Sequence, residues 1–174
     1  YKRQGTDSTA TPGTGPNDDR TGGGNYIYAE ASGAANQSVA TITSPLLDLS
    51  PLTTPELNFW YHMAGAQVNE LKTEVWSQSS GWVNVGSING PQQASSADTF
   101  LLQTYTLAQF VDDTVLVRFS ASRGFGNNNQ ADIAIDDFGF EEAPTCPDPS
   151  MLSVSARTTS SMTLSWQAVN ATSW

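Results

Sequence analysis

One histidine, one cysteine, a scatter of acids and five tryptophans are the residues of this 174-residue sequence that could do chemistry. His62 is the only side chain that could serve as the base of a Ser-His-Asp hydrolase. It stands in the run Phe59-Trp60-Tyr61-His62-Met63, alternating outward from the apolar residues, and no Gly-x-Ser-x-Gly nucleophile motif lies near it. A packing role on a sheet face is therefore expected of His62. Cys146 is the sole thiol, with no base near it in sequence, and no disulfide can form within the chain. The pairs Asp18-Asp19 and Asp136-Asp137 would suit a two-carboxylate glycosidase only if they lined a groove, and acidic pairs are too common to assign one. These residues lead to the expectation of a chain that is not an enzyme.

The tryptophans point towards binding. Trp76 alternates opposite to Val75, and Trp82 opens a strand after Gly81. Exposed aromatic rings stack on sugar faces, so Trp76 and Trp82 are the candidate ligand-binding residues, with packing beneath loops as the alternative. Trp60, out of phase with Phe59 and Tyr61, is expected to pack. Arg118 and Arg123 lie in an apolar strand and at its exit, where a guanidinium serves to satisfy buried carbonyls or an acid. Asn127-Asn128-Asn129-Gln130 reads as a polar loop of the kind that makes contacts at the end of a sandwich.

Positioning such residues is a task for strands. Only 14% of residues are charged, and Gly, Ser, Thr, Asn, Gln and Pro supply the polar surface. The net charge of −10 argues against a nucleic-acid partner, which needs clustered Lys and Arg, and equally against an anionic membrane surface. No stretch is apolar enough to span a bilayer, and no signal peptide is visible, so Tyr1 is expected to be an internal or processed start. The setting expected is secreted or cell-surface, and the lack of a disulfide favours a bacterial exoprotein.

Residues 1–24 are rich in Gly, Thr, Asp and Pro and read as an irregular polar loop system. Beyond Asn25 the pattern changes to short alternating runs. Strands are expected at 26–30, 39–44, 46–50, 57–63, 70–77, 81–88, 100–107, 114–121 and 131–140. Residues 107–110 allow at most one helical turn. Apolar residues on one face of each strand and turn signals every dozen residues predict an all-β sandwich of two antiparallel sheets. A linker is expected at 143–150, stiffened by Pro144, Pro147 and Pro149, and a second unit with two strands at 151–174.

Four blocks, in order, carry a family resemblance. Residues Gly15 to Ser32, with Gly15-Pro16, Asp19, Thr21, Tyr26, Tyr28 and Glu30, resemble the opening signature of MAM domains. Ser44-Pro45-Leu46-Leu47-Asp48-Leu49, Leu57-Asn58-Phe59-Trp60-Tyr61-His62-Met63, and Arg118-Phe119-Ser120-Ala121-Ser122-Arg123-Gly124 leading to Asp132-Ile133-Ala134-Ile135-Asp136-Asp137-Phe138 are similar to the later ones. The resemblance covers residues 1–140. It departs in lacking the cysteines of animal members and in an N-terminal strand that lies before Tyr1 or is missing. It implies a jelly-roll-like sandwich over 1–142 that acts in adhesion and recognition. Pro149, Leu152 and Val154 with Leu164-Ser165-Trp166 resemble the first strands of a fibronectin type III domain, here incomplete.

The same resemblance brings two acidic segments together and implies a structural Ca²⁺. Carried over residue by residue, its ligands would be Asp19, Glu30 and Asp137, with Asp136 as the alternative; a hard cation wants six to eight oxygens, some from carbonyls. Hydrogen bonds from loop amides, or pairing with Arg118 and Arg123, are the other use for these acids. The function expected is a non-catalytic recognition or adhesion module of a larger multidomain protein, binding a protein or polysaccharide ligand. A carbohydrate-binding accessory module of a secreted hydrolase and a structural spacer are the alternatives.

Overall fold

In a computed structural model, residues 2–126, 129–144 and 150–167 are described. The chain divides into two compact units, 1–142 and 143–174. The first holds β1 (Lys2–Gly5), β2 (Tyr26–Ala29), β3 (Val39–Thr43), β4 (Leu47–Asp48), β5 (Pro55–His62), β6 (Val68–Ser77), β7 (Gly81–Asn89), β8 (Leu101–Thr106), β9 (Thr114–Arg123) and β10 (Ile133–Glu142). One 3₁₀ turn, Ala108–Phe110, follows β8.

The strands form two antiparallel sheets. The first has the order β1-β2-β10-β5-β8; the second has β3-β9-β6-β7, with β4 also on β9. Alternation decides which side of each strand goes inside. In β5, Leu57, Phe59 and Tyr61 are buried against the second sheet, whose inner face supplies Leu71 and Val75 from β6 and Val117 and Phe119 from β9. Phe59 and Phe119 meet edge to face across the core, ring centroids 4.8 Å apart. Each such side chain contributes roughly 1.5–3 kcal/mol by leaving water. The sheets approach so closely at Gly86 that a Cβ there would lie 2.2 Å from the Tyr105 ring. The all-β sandwich expected from the sequence is thus the fold.

The first 24 residues differ from expectation. They contain an edge strand, β1, paired with β2 from Lys2 opposite Ala29 to Gly5 opposite Tyr26. Lys-Arg-Gln-Gly shows no apolar alternation because an edge strand bordering solvent is stabilised by its ladder and kept unsociable by charge. The second unit contains β11 (Ser150–Arg157) and β12 (Met162–Gln167), an antiparallel pair with two register shifts. Cys146, Pro147, Pro149, Asn127 and Asn128 lie outside the described residues, as does the side chain of Trp166. No helix among the described residues is long and apolar enough to cross a membrane.

Candidate functional site

The acids singled out from the sequence lie on loops and at a bulge of the first sheet, and most of their oxygens are engaged. Asp19 accepts from the Gly24 amide at 2.8 Å and from the Thr21 hydroxyl at 2.7 Å. These donors, the Gly24 amide foremost, hold its carboxyl down at about 2. A Cβ at Gly24 would stand 2.5 Å from an Asp19 oxygen, so any larger residue there would displace this carboxylate. Asp136 accepts from the Arg20 amide at 3.0 Å and from the Asp137 amide at 2.8 Å, and Asp137 is paired with the Arg20 guanidinium. Asp137 sits at the register shift of β10 with φ 44°, a left-handed conformation that Asp tolerates. Glu30 accepts from the Ser32 amide at 2.9 Å. Among the described residues, no three acids, histidines or cysteines gather as a metal-holding group, so Asp19, Glu30 and Asp137 do not converge.

A different acid joins Glu30. Asp132 opens the approach to β10 and is wholly buried, as is all but 3% of Glu30. One Asp132 oxygen accepts the Ala31 amide at 2.8 Å; among the described residues the other, Oδ2, has no hydrogen-bond donor. Burial pushes the Asp132 carboxyl up to about 6, and the neighbouring Glu30 adds to the rise. Arg3 reaches only to 4.0 Å of Glu30. Thr14 braces the site, donating to the Ala64 carbonyl and accepting the Asp132 amide, each at 2.8 Å. A buried carboxylate oxygen without a donor, beside a second buried carboxylate, is the donor chemistry of a hard cation. Sequence reading missed Asp132; an acid between Ala131 and Ile133, at the threshold of an apolar strand, was the available signal.

Arg123 ties the loops next to this site. Its Nη1 donates to the carbonyls of Ala34 at 2.7 Å and Ala31 at 3.2 Å, and its Nη2 to that of Gly126 at 2.8 Å. The guanidinium serves buried carbonyls, as its place in the sequence led one to expect. His62 is fully buried beside Phe100, ring centroids 5.5 Å apart, and among the described residues neither ring nitrogen has a hydrogen-bond partner. Burial pushes its pKa down, so the ring is neutral near pH 7.

On the outer face of the second sheet, Trp76 of β6 stands directly opposite Trp82 of β7 and Leu116 of β9. In the next row Glu74 faces Arg118 and Asn84. Arg118 lies 3.9 Å from the centroid of the Trp82 ring and pairs with Glu74 at 2.8 Å; Lys72 pairs with the other Glu74 oxygen, also at 2.8 Å. Burial works against the Glu74 carboxylate, but the two cations outweigh it and hold its pKa down. The structure therefore brings Trp76 and Trp82 together on one surface, with Trp82 38% exposed.

The family model described as MAM domain, meprin/A5/mu, matches residues 2–147. Neuropilin-1a of Danio rerio is 40% identical over 88 residues, 48% of this chain and 9% of that protein. Neuropilin-1 of Homo sapiens is 38% identical over 68 residues, 39% of this chain and 7% of its own length. Thyroid hormone-induced protein B of Xenopus laevis is 32% identical over 144 residues, 82% of this chain and 20% of that protein. The chain thus spans less than a tenth of the neuropilins it matches. Among solved structures, the K1 cleaved adhesin domain of Lys-gingipain from Porphyromonas gingivalis W83 is similar with a TM-score of 0.49 at 14% identity, covering 82% of this chain and 91% of that one. A family 16 carbohydrate-binding module gives 0.41 at 15% identity, covering 70% and 79%. On the match across residues 2–147, this chain belongs to the MAM domain family.

Proposed function

We propose that this chain is a non-catalytic recognition and adhesion module of a larger secreted or cell-surface protein. One observation carries the reading. At one end of the sandwich Phe125 is 71% exposed and Val39 59% exposed, and the two border a cavity of about 260 Å³ with Glu70 and Asn69 on its walls. Large apolar side chains held in water beside a polar rim are the anatomy of a contact surface. Membership of the MAM family supports the same reading. Affinity at one such patch is modest and would be multiplied by neighbouring modules in the parent chain. The test coats microspheres with the 174-residue chain and measures their retention on wells bearing matrix proteins, polysaccharides or the chain itself. Retention above an inert β-sandwich control, lost in Phe125→Ser, is expected; retention equal to the control would leave only a spacer.

A second reading is favoured by the Trp76–Trp82 row. Trp76 and the part of Trp82 left exposed beside the Arg118 guanidinium offer stacking surface to a polysaccharide, with Glu74 and Asn84 as neighbouring hydrogen-bonding groups. Glycan-array binding that disappears in Trp76→Ala and Trp82→Ala would establish it.

A structural Ca²⁺ fits Glu30 and Asp132, and carbonyl oxygens would complete its shell. It would neutralise the buried acid pair and tie the end of β2 to the start of β10, and would perform no reaction. Thermal denaturation in Ca²⁺ against EDTA, with Asp132→Asn abolishing the difference, tests this. The hairpin β11–β12, exposing Val154, Met162 and Leu164 on a two-stranded surface, supports a fibronectin type III-like module beginning here. A single cysteine supports a bacterial exoprotein.

A further inference from the structure

A second, chemically distinct surface lies on the outside of the first sheet. The segment carrying Asp18, Asp19 and Arg20 and the connection carrying Asp98 stand on either side of a cavity of about 460 Å³. Trp60 and Phe100 line it as well. The two segments are joined by the Asn17 amide donating to the Ser96 carbonyl at 3.1 Å. Beside the cavity, Leu102 of β8 is paired with Trp60 of β5 and is 51% exposed.

Three independent features define what would fit. Three aspartates line the cavity against one arginine, whose guanidinium is already paired with Asp137. Buried His62 is neutral and adds no positive charge. The Trp60 ring accepts a cation, because the Arg20 guanidinium carbon lies 4.7 Å from its centroid. An exposed leucine then extends the wall as an apolar shoulder. The charge arrangement disfavours a second copy of this chain, whose net charge is −10.

We infer that this cavity receives an arginine or lysine side chain of a partner protein, flanked in the partner by an apolar residue that rests on Leu102. Arg20 then acts as the chain's own occupant of the Trp60 face, competing with the partner. The inference rests on the recognition reading but uses a surface apart from Phe125 and Val39, so either can fail alone.

The test is a ¹⁵N NMR titration of the 174-residue chain with capped pentapeptides containing arginine, citrulline or glutamate between leucines. The Trp60 indole signal is assigned with Trp60→Phe. The arginine peptide is expected to shift the Trp60 indole and the amides of residues 96–100 saturably. Replacing arginine by citrulline should weaken binding roughly five-fold, and raising the salt from 20 to 200 mM should do the same, on the order expected for a charge partly shielded by water. Arg20→Gln should strengthen binding about two- to five-fold by removing the competitor. Equal shifts with citrulline, absence of any shift at Trp60, or loss of binding in Arg20→Gln would overturn the inference. Persistent microsphere retention in those circumstances would leave the recognition reading intact.

Discussion

Arg118 holds two partners at once: its guanidinium lies 3.9 Å from the centroid of the Trp82 ring and 2.8 Å from a Glu74 oxygen. The pair of contacts spans three adjacent strands, β7, β6 and β9, on the outer face of the second sheet. Arg118→Ala is expected to cost about 1–2 kcal/mol, since cation–π stacking and a charge-assisted hydrogen bond are lost together. The ring would also be uncovered. Acrylamide should quench the Trp82 fluorescence more efficiently in the variant, isolated by comparison with Trp82→Phe, and Arg118→Lys should restore only part of the stability.

The core makes a larger claim. Phe59 is wholly buried and meets Phe119, Tyr61 and Tyr105. Phe59→Ala should destabilise the first unit by about 3–5 kcal/mol, because the surrounding sheets cannot collapse onto the space left behind. Urea denaturation followed by near-ultraviolet circular dichroism measures it.

Arg123 is a structural cation. Arg123→Met removes donors from the carbonyls of Ala31, Ala34 and Gly126. A loss of about 3 kcal/mol or more is expected from acceptors left without donors. Hydrogen exchange should accelerate first in residues 31–38 and 124–126, the loops this side chain joins.

Acid weakens a different clamp. Glu142 accepts from the amides and hydroxyls of Thr53 and Thr54, and these donors, the Thr53 amide foremost, hold its pKa down at about 2 from an ordinary 4.5. Between those values the unfolded chain binds the extra proton, so stability rises with pH in this window. The contribution is present above about pH 4.5 and is lost as pH falls towards 2. Glu142→Gln should flatten that part of the stability profile while leaving the slope near pH 7 unchanged.

Strands with clean alternation were legible in the sequence: Leu57, Phe59 and Tyr61 announce β5, and Val75 against Trp76 announces the two faces of β6. Pairing partners were not, because register is decided by residues far apart in the chain, as where Trp76 meets both Trp82 and Leu116. β1 was hidden, since Lys-Arg-Gln-Gly offers no apolar alternation to read and its pairing partner, β2, lies twenty residues on. Asp19, Glu30, Asp136 and Asp137 could be named from a motif, but a motif does not show which oxygens are already satisfied. Asp132 carried one local signal, an acid between Ala131 and Ile133, but its full burial beside Glu30 depends on segments far apart in the chain. Likewise the stacking of Arg20 on Trp60 joins two segments forty residues apart.

The most direct measurement asks whether a ligand is held and returned unaltered. Polysaccharides and matrix proteins retained by immobilised chain would be eluted after prolonged incubation and their masses compared with the starting material. Recognition without catalysis predicts saturable retention, dependence on the exposed aromatic surfaces and an unchanged mass distribution. Fragments in the eluate that disappear in His62→Ala would contradict it.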